Sequence, residues 1–279
     1  MKEGSGVPVS PFILVRGAGE MASAVAWRLY RANMRRICML DLDKPLCVRR
    51  RVSFCTALES ESAVVEGVEG VSVRSWDGIE AAWAAQKIAV VRTTDWERIE
   101  THAADVLIDA ILAKRNLGSS KDQAGLVIAL GPGFEAGKDC HLVIETNRGH
   151  NLGRIIEYGN AEPNTHVPGE ISGHTTVRVL RAPAAGVFET MRNIGDRVSK
   201  NDVVGHVSGQ PVTAQLDGML RGLIRPGTTV RAGLKLGDID PRGKQEYCDT
   251  ISDKGRAIAG SVLEGVMRYL NKPARATEC

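Results

Sequence analysis

The sequence predicts an α/β protein: a Rossmann-like, mostly parallel sheet, followed by a small all-β module and a C-terminal helix. Three observations predict it. From Phe12 to Glu145, short, continuous apolar runs alternate with helical periods, the pattern of a sheet covered on both faces. From Thr175 to Asp240 the helical period disappears, and short β-runs are separated by Gly, Pro and Asp turns. The segment from Ile251 to Leu270 then sets Ile258, Val262, Leu263, Val266 and Leu270 on one helical face.

The first βαβ unit is the clearest. The run 12–16 (Phe-Ile-Leu-Val-Arg) ends at the turn Gly17-Ala18-Gly19, and a helical period from Glu20 to Asn33 follows. Ile37 to Leu40 is a second buried strand ending in Asp41. Further strands are expected at 71–73 (an edge strand), 88–91, 106–111, 126–130 and 142–145, with helices from Trp76 to Gln86 and Trp96 to Ala103. Ser252 and Asp253 are placed to cap the terminal helix. The expected division is 1–174 for the α/β domain, 175–242 for the β-module and 243–279 for a helix packing back on the first domain.

Composition narrows the function classes. The 279 residues are enough for a sizeable core. With 36 basic and 33 acidic residues the net charge is +3, and aromatics are 4%, so neither charge nor stacking surface argues for nucleic acid. No apolar run approaches the roughly 20 residues that cross a bilayer, and no leader-like run opens the chain. A cytoplasmic protein is expected, with no membrane partner; a homo-oligomer is left open. The six cysteines form no C-x-x-C pair, and His141, His150, His166 and His174 show no metal-ligand spacing, so no metal is expected.

The glycine turn carries the strongest chemical signal. Gly17-Ala18-Gly19-Glu20-Met21-Ala22 matches G-x-G-x-x-[GA] between a strand and a helix. Glycines admit a phosphate to the backbone, and the helix N-terminus offers unpaired amides. Asp41 stands where such a site places the acid that holds ribose hydroxyls. Glu20 suits the helix dipole but repels a phosphate. Arg49 and Arg50, within Arg49-Arg50-Arg51, either clamp phosphate or form a solvated basic turn. Lys114 and Asn116 follow one strand, Gly131 and Gly133 follow the next, and Glu145, Asn147, Arg148 and His150 follow another. Four strand ends on one rim favour a ligand site. Glu145 and His150 are the candidate acid and base, the alternative being a hydrogen-bonded interdomain loop.

The β-region contains an internal repeat of two halves. Ala182-Pro183 through Gly186, then Gly195-Asp196 with Val198, matches Ala214 through Gly218, then Pro226-Gly227 with Val230. These residues resemble a biotinyl/lipoyl-like (barrel-sandwich) domain. The hairpin Val207 to Val212 carries no lysine, so neither biotin nor lipoate is expected, and the module reads as a docking or lid domain.

Five stretches resemble the selenium-dependent molybdenum hydroxylase system protein family. They are Val15 to Gly19 with Ala22; Lys44-Pro45-Leu46 with Arg49-Arg50 and Val52-Ser53-Phe54; Asp109 to Asn116; Leu130 to Phe134 with Glu145 to His150; and Ile251 to Lys254 with Arg256-Ala257-Ile258. The resemblance implies an accessory protein for maturation of molybdenum hydroxylases. The expected ligand is then molybdopterin or a nucleotide, bound by Gly17, Gly19, Arg49, Arg50, Lys114, Asn116, Glu145, Asn147 and Arg148, with a hydroxylase as partner. Two other readings stand beside it: an NAD(P)-dependent oxidoreductase, with Asp41 favouring NAD, and a non-enzymatic scaffold.

Overall fold

The computed structural model describes residues 10–99, 102–165, 167 and 169–272. His166 and Cys279 lie outside them, as do the last residues of the expected 243–279 segment.

The chain opens with β1 (Ile13–Arg16), α1 (Glu20–Arg31) and β2 (Ile37–Asp41). A loop then leads to α2 (Ala57–Ser60), β3 (Ser62–Val65), β4 (Val68–Val73), α3 (Trp76–Ala84), β5 (Ile88–Arg92) and α4 (Thr93–Trp96). β6 (Val106–Asp109), β7 (Leu126–Leu130), β8 (Glu135–Ala136), β9 (Leu142–Ile144), β10 (Ile155–Ile156) and β11 (Gly159–Asn160) complete this part. Nine strands form one sheet in the order β10-β9-β7-β6-β1-β2-β5-β4-β3. Every pairing from β9 through to β4 is parallel, and the outermost strands on each side, β10 and β3, pair antiparallel.

Side chains alternate across this sheet, so each strand feeds two cores. Ile13, Val15, Ile37, Met39, Val106 and Ile108 belong to one. Leu14, Cys38, Leu40, Ala89, Val91 and Leu107 belong to the other. Both faces are covered, which is why the strands read as unbroken apolar runs.

Two expectations are corrected here. Residues 71–73 lie in β4, which is flanked by β5 and β3; the edge strand is β3, with Ser62 and Val64 exposed. The helix expected from Trp96 to Ala103 falls partly on residues outside the description, and the described helix there is α4, ending at Trp96.

No α-helix joins β6 to β7 or β7 to β9, so one face of that half-sheet would be bare. The terminal helix α6 (Asp253–Leu270) covers it, lying beside α1 with Ile258, Val262 and Val266 in the shared core. Ser252 caps it, its hydroxyl accepting the Gly255 N–H at 3.2 Å, which satisfies one of the orphan amides of the first turn. Short α5 (Glu246–Asp249) precedes it.

Between the sheet and α6 the chain forms β12 (Val179–Arg181), β13 (Gly186–Glu189), β14 (Arg197–Val198), β15 (Val203–Val207), β16 (Gln210–Thr213), β17 (Gly218–Leu223), β18 (Thr228–Val230) and β19 (Lys235–Asp240). They make two antiparallel sheets, β12-β19-β17-β14 and β16-β15-β13-β18. Exchanging each strand for the one four places away turns the first order into the second. The sequence repeat is therefore a twofold relation between sheets. Gly195 and Gly227 hold matching turns at φ +99° and +80°. Phe188, Leu220, Leu223, Leu236 and Ile239 fill the shared core.

The described cysteines are all buried. No helix among the described residues is long and apolar enough to cross a membrane.

Candidate functional site

The glycine turn is closed by its own chain. The Ala18 N–H donates to Asp41 Oδ2 at 2.7 Å, and the Ala18 carbonyl accepts from the Cys55 N–H at 2.9 Å. Gly17 has φ +97°, and a Cβ there would lie 3.0 Å from the Ala110 carbonyl oxygen. Its glycine serves the approach of the neighbouring strand end, not the approach of a ligand. Gly19 is the α1 N-cap in ordinary extended conformation. Asp41, expected on a ribose, is instead a cap; burial raises its carboxyl above the usual range, against the lowering effect of the Ala18 and Leu42 amides.

The arginines point elsewhere too. Arg49 is buried, with Nη1 3.2 Å from Glu20 Oε1 and Nη2 donating to the Tyr247 and Thr250 carbonyls. Arg50 Nε donates to the Leu223 carbonyl at 2.8 Å. Both fasten the loop after β2 to the β-module and to the segment before α6. The phosphate clamp expected at Gly17, Gly19, Asp41, Arg49 and Arg50 is thus not assembled.

Nor is the expected acid–base pair. Glu145 is 1% exposed, and its oxygens accept the Asn147 N–H at 2.6 Å and the Glu162 N–H at 2.7 Å. His150 is exposed and lines no described cavity. Asn116 is spent on its own loop, accepting from the Gly118 and Ser119 amides. Gly131 (φ +77°) and Gly133 (φ +106°) are backbone solutions, lying against Thr146 and against the Arg115 backbone.

A cleft of about 470 Å³ does open on this rim, displaced from the glycine turn toward β6, β7 and β9. Its walls come from three sources. The α/β layer gives Glu20 at the start of α1, Leu112 and Lys114 after β6, Pro132 after β7, and Asn147 and Arg148 after β9. The β-module and its approach segment give Arg178, Arg181, Arg221, Lys235 and Asp238. The start of α6 gives Ser252 and Lys254. Of the ligand-binding residues expected from the sequence, Lys114, Asn147 and Arg148 reach it. Leu112 and Lys114 have φ of 60° and 61°, left-handed without being glycine. Strain of that kind clusters at ligand sites.

The cleft is cationic. Seven of its lining residues are Lys or Arg (114, 148, 178, 181, 221, 235, 254) and three are acidic (20, 162, 238). Part of that charge is neutralised internally. Asp238, 1% exposed, meets Arg221 at 2.8 Å, Arg178 at 3.5 Å and Lys235 at 3.6 Å. Burial alone would raise the Asp238 carboxyl, but Lys235, Arg221 and Arg49 outweigh it and hold the group well below its usual range. Arg148 makes a two-point pair with Asp253. Lys114 donates to Asn164 Oδ1 at 2.7 Å and Arg181 to the Gly233 carbonyl at 3.0 Å, so neither meets a carboxylate. Lys254 has no side-chain hydrogen-bond or ion-pair partner among the described residues. Burial pulls its ammonium below the ordinary lysine range, and Arg148 adds to the shift.

Among the described residues no group of three or more His, Cys, Asp or Glu is placed to hold a metal ion.

Arg178, Arg181, Arg221, Lys235 and Lys254 were not among the site residues expected from the sequence. One signal was available: a lysine in the first turn of a capped helix opposes the helix dipole.

No family model matches the chain. The chain is 45% identical over 268 residues to "Uncharacterized protein YqeB" of Escherichia coli strain K12, an alignment covering 95% of this chain and 49% of the relative. The chain thus spans about half the length of the curated relative it matches. Among solved structures, a succinylglutamate desuccinylase/aspartoacylase from Rhodobacter sphaeroides is similar at TM-score 0.21 and 22% identity, over 31% of this chain and 30% of that one. An aspartoacylase family protein from Mesorhizobium loti gives TM-score 0.24 at 13% identity, over 49% and 56%. The ectoine utilization protein EutE (DoeB) from Ruegeria pomeroyi gives 0.22 at 13%, over 49% and 60%. At such TM-scores the likeness lends this chain no activity.

These findings correct the family expectation. The names of these similar proteins point neither to a selenium-dependent molybdenum hydroxylase system nor to an NAD(P)-dependent oxidoreductase. The self-capped glycine turn removes the geometry on which both readings rested. Molybdopterin, NAD and a molybdenum hydroxylase target are withdrawn with them.

Proposed function

We propose that the chain binds an anionic small molecule, bearing phosphate or carboxylate groups, in the cleft between the α/β layer and the β-module. One observation carries the reading: Lys114 and Arg181 line the same cleft and neither meets a carboxylate among the described residues. A cation held in a concave site without a counter-ion is stabilised when an oxyanion arrives. The strained backbone at Leu112 and Lys114 supports the same site.

In this reading the described residues of 1–174 form the α/β unit, 175–242 the wall opposite and the described residues of 243–279 the strap that closes the third side. The β-module is read as biotinyl/lipoyl-like; its support is the twofold strand order, and its 207–212 hairpin without lysine makes it a wall, not a carrier.

The test is titration with inorganic pyrophosphate. It should raise the melting temperature, since a ligand of the folded state stabilises by mass action. Arg181→Glu and Lys114→Glu should each weaken binding about tenfold, roughly 1.4 kcal/mol, and added salt should weaken it further. An unchanged melting temperature with pyrophosphate, citrate and phosphate alike sinks the proposal.

A further inference from the structure

Lys254 breaks the rule that the rest of its helix obeys. Acidic groups belong at a helix N-terminus and basic ones at the other end. In α6, Asp253 and Arg268 comply, and Lys254, in the first turn, does not. A charge placed against the dipole is normally tolerated by turning into water or pairing with a carboxylate. Lys254 is only partly exposed and faces the cleft. Its side chain has neither a hydrogen-bond nor an ion-pair partner among the described residues.

Its charged surroundings come from four other elements. Arg148 follows β9, Lys114 follows β6, Lys235 lies on β19, and Glu20 opens α1. Three of the four repel an ammonium. Glu20, the one that attracts it, is shared with Arg49 and with the Ser252 hydroxyl, at 3.2 Å each. Asp253 is turned to Arg148. Burial and this surplus of positive charge both favour the neutral amine.

We propose that Lys254 is a nucleophilic amine that forms an imine with an anionic oxo compound, a 2-oxo acid or an aldehyde carrying carboxylate or phosphate, whose charge is held by Lys114 and Arg181. The proposal rests on the reading of the cleft as an anion site. The amine lone pair attacks the carbonyl carbon, and the C=O π electrons move to oxygen, giving a carbinolamine. The C–O bond then breaks, a C=N bond forms, and the carbonyl oxygen leaves as water with both amine hydrogens. Nothing is oxidised or reduced. A lysine activated by desolvation and neighbouring cations is a recognised arrangement for such chemistry.

The experiment uses the full chain with glyoxylate and cyanoborohydride at neutral pH, followed by peptide mass mapping. Lys254 should acquire the carboxymethyl mass about tenfold faster than the exposed Lys44 and Lys200. Excess pyrophosphate should protect it, and Lys254→Arg should remove the fast-labelled peptide. Labelling of Lys254 no faster than Lys44 and Lys200 overturns the imine proposal. If pyrophosphate still raises the melting temperature in that case, the anion site stands without it. Fast, selective labelling with no pyrophosphate stabilisation or protection would overturn the anion site and, with it, the anionic class of the carbonyl compound and the roles of Lys114 and Arg181.

Discussion

Arg148 and Asp253 meet across the seam between the rim after β9 and the first turn of α6, with Nη1···Oδ2 at 2.6 Å and Nη2···Oδ1 at 2.9 Å. The guanidinium–carboxylate geometry is two-pronged, which fixes orientation as well as distance. The hydrogen bond from Arg148 holds the Asp253 carboxyl down at about 2. A carboxyl lowered on folding contributes stability above its unfolded value, about 3.9, and loses it as pH falls through the folded one. Asp253→Asn should therefore cost less than about 1 kcal/mol at pH 7, since the aspartate is largely exposed. It should also flatten the loss of stability between about pH 4 and pH 2. Urea melts across that range, on both proteins, measure it.

Asp41 makes a separable prediction. Its carboxylate is the acceptor of the Ala18 amide. Asp41→Ala strips that amide of its partner and should destabilise by about 1–3 kcal/mol. Asp41→Asn keeps an acceptor oxygen and should cost less. Neither should change pyrophosphate affinity, because the glycine turn does not line the cleft. A large loss of affinity in Asp41→Asn would return the ligand to the turn.

Asp238 is the counter-charge of three cations, Arg178, Arg221 and Lys235. Asp238→Ala leaves the buried Arg178 guanidinium without its carboxylate and Arg221 with Asp240 alone, at a cost of about 3–5 kcal/mol. Equilibrium urea unfolding should show this as a drop in midpoint larger than for any other single carboxylate in the cleft, Glu20 and Glu162 included.

The two glycines after β7 should respond unequally to alanine. A Cβ at Gly133 would lie 2.5 Å from the Arg115 backbone nitrogen, which has no freedom to retreat. At Gly131 it would meet the Thr146 side chain, which has rotamers to use. Both have positive φ and both substitutions should destabilise, Gly133→Ala by clearly more. Thermal melts of the pair decide it; equal losses would show that the rim backbone is not rigid.

The elements that the sequence made plain were those whose signal is local. The β2, β5, β6 and β7 runs are apolar on both faces, and Ser252 caps α6 through the amide of Gly255, close by in the chain. The repeat of 182–205 in 214–238 was legible because each half folds the same way. The site was not local. Lys114 and Lys254 lie in distant parts of the chain, and Arg181 and Lys235 sit in a module whose docking angle no periodicity encodes. The Gly17 motif misled for a physical reason. An acid at the end of the second strand reads the same whether it waits for a ribose or bonds the amide of the turn. Only the folded chain distinguishes the two.

Both ends of the β-module are fastened to the same layer. The chain leaves that layer near Arg178 and rejoins it at Ser252, while Arg49 and Arg50 stitch the space between. A wall pinned along two edges has no single hinge about which to swing. A guest would then enter a chamber already shaped for it, losing little conformational freedom in the host. Its departure would be timed by its own hold on the cations, not by the opening of a door.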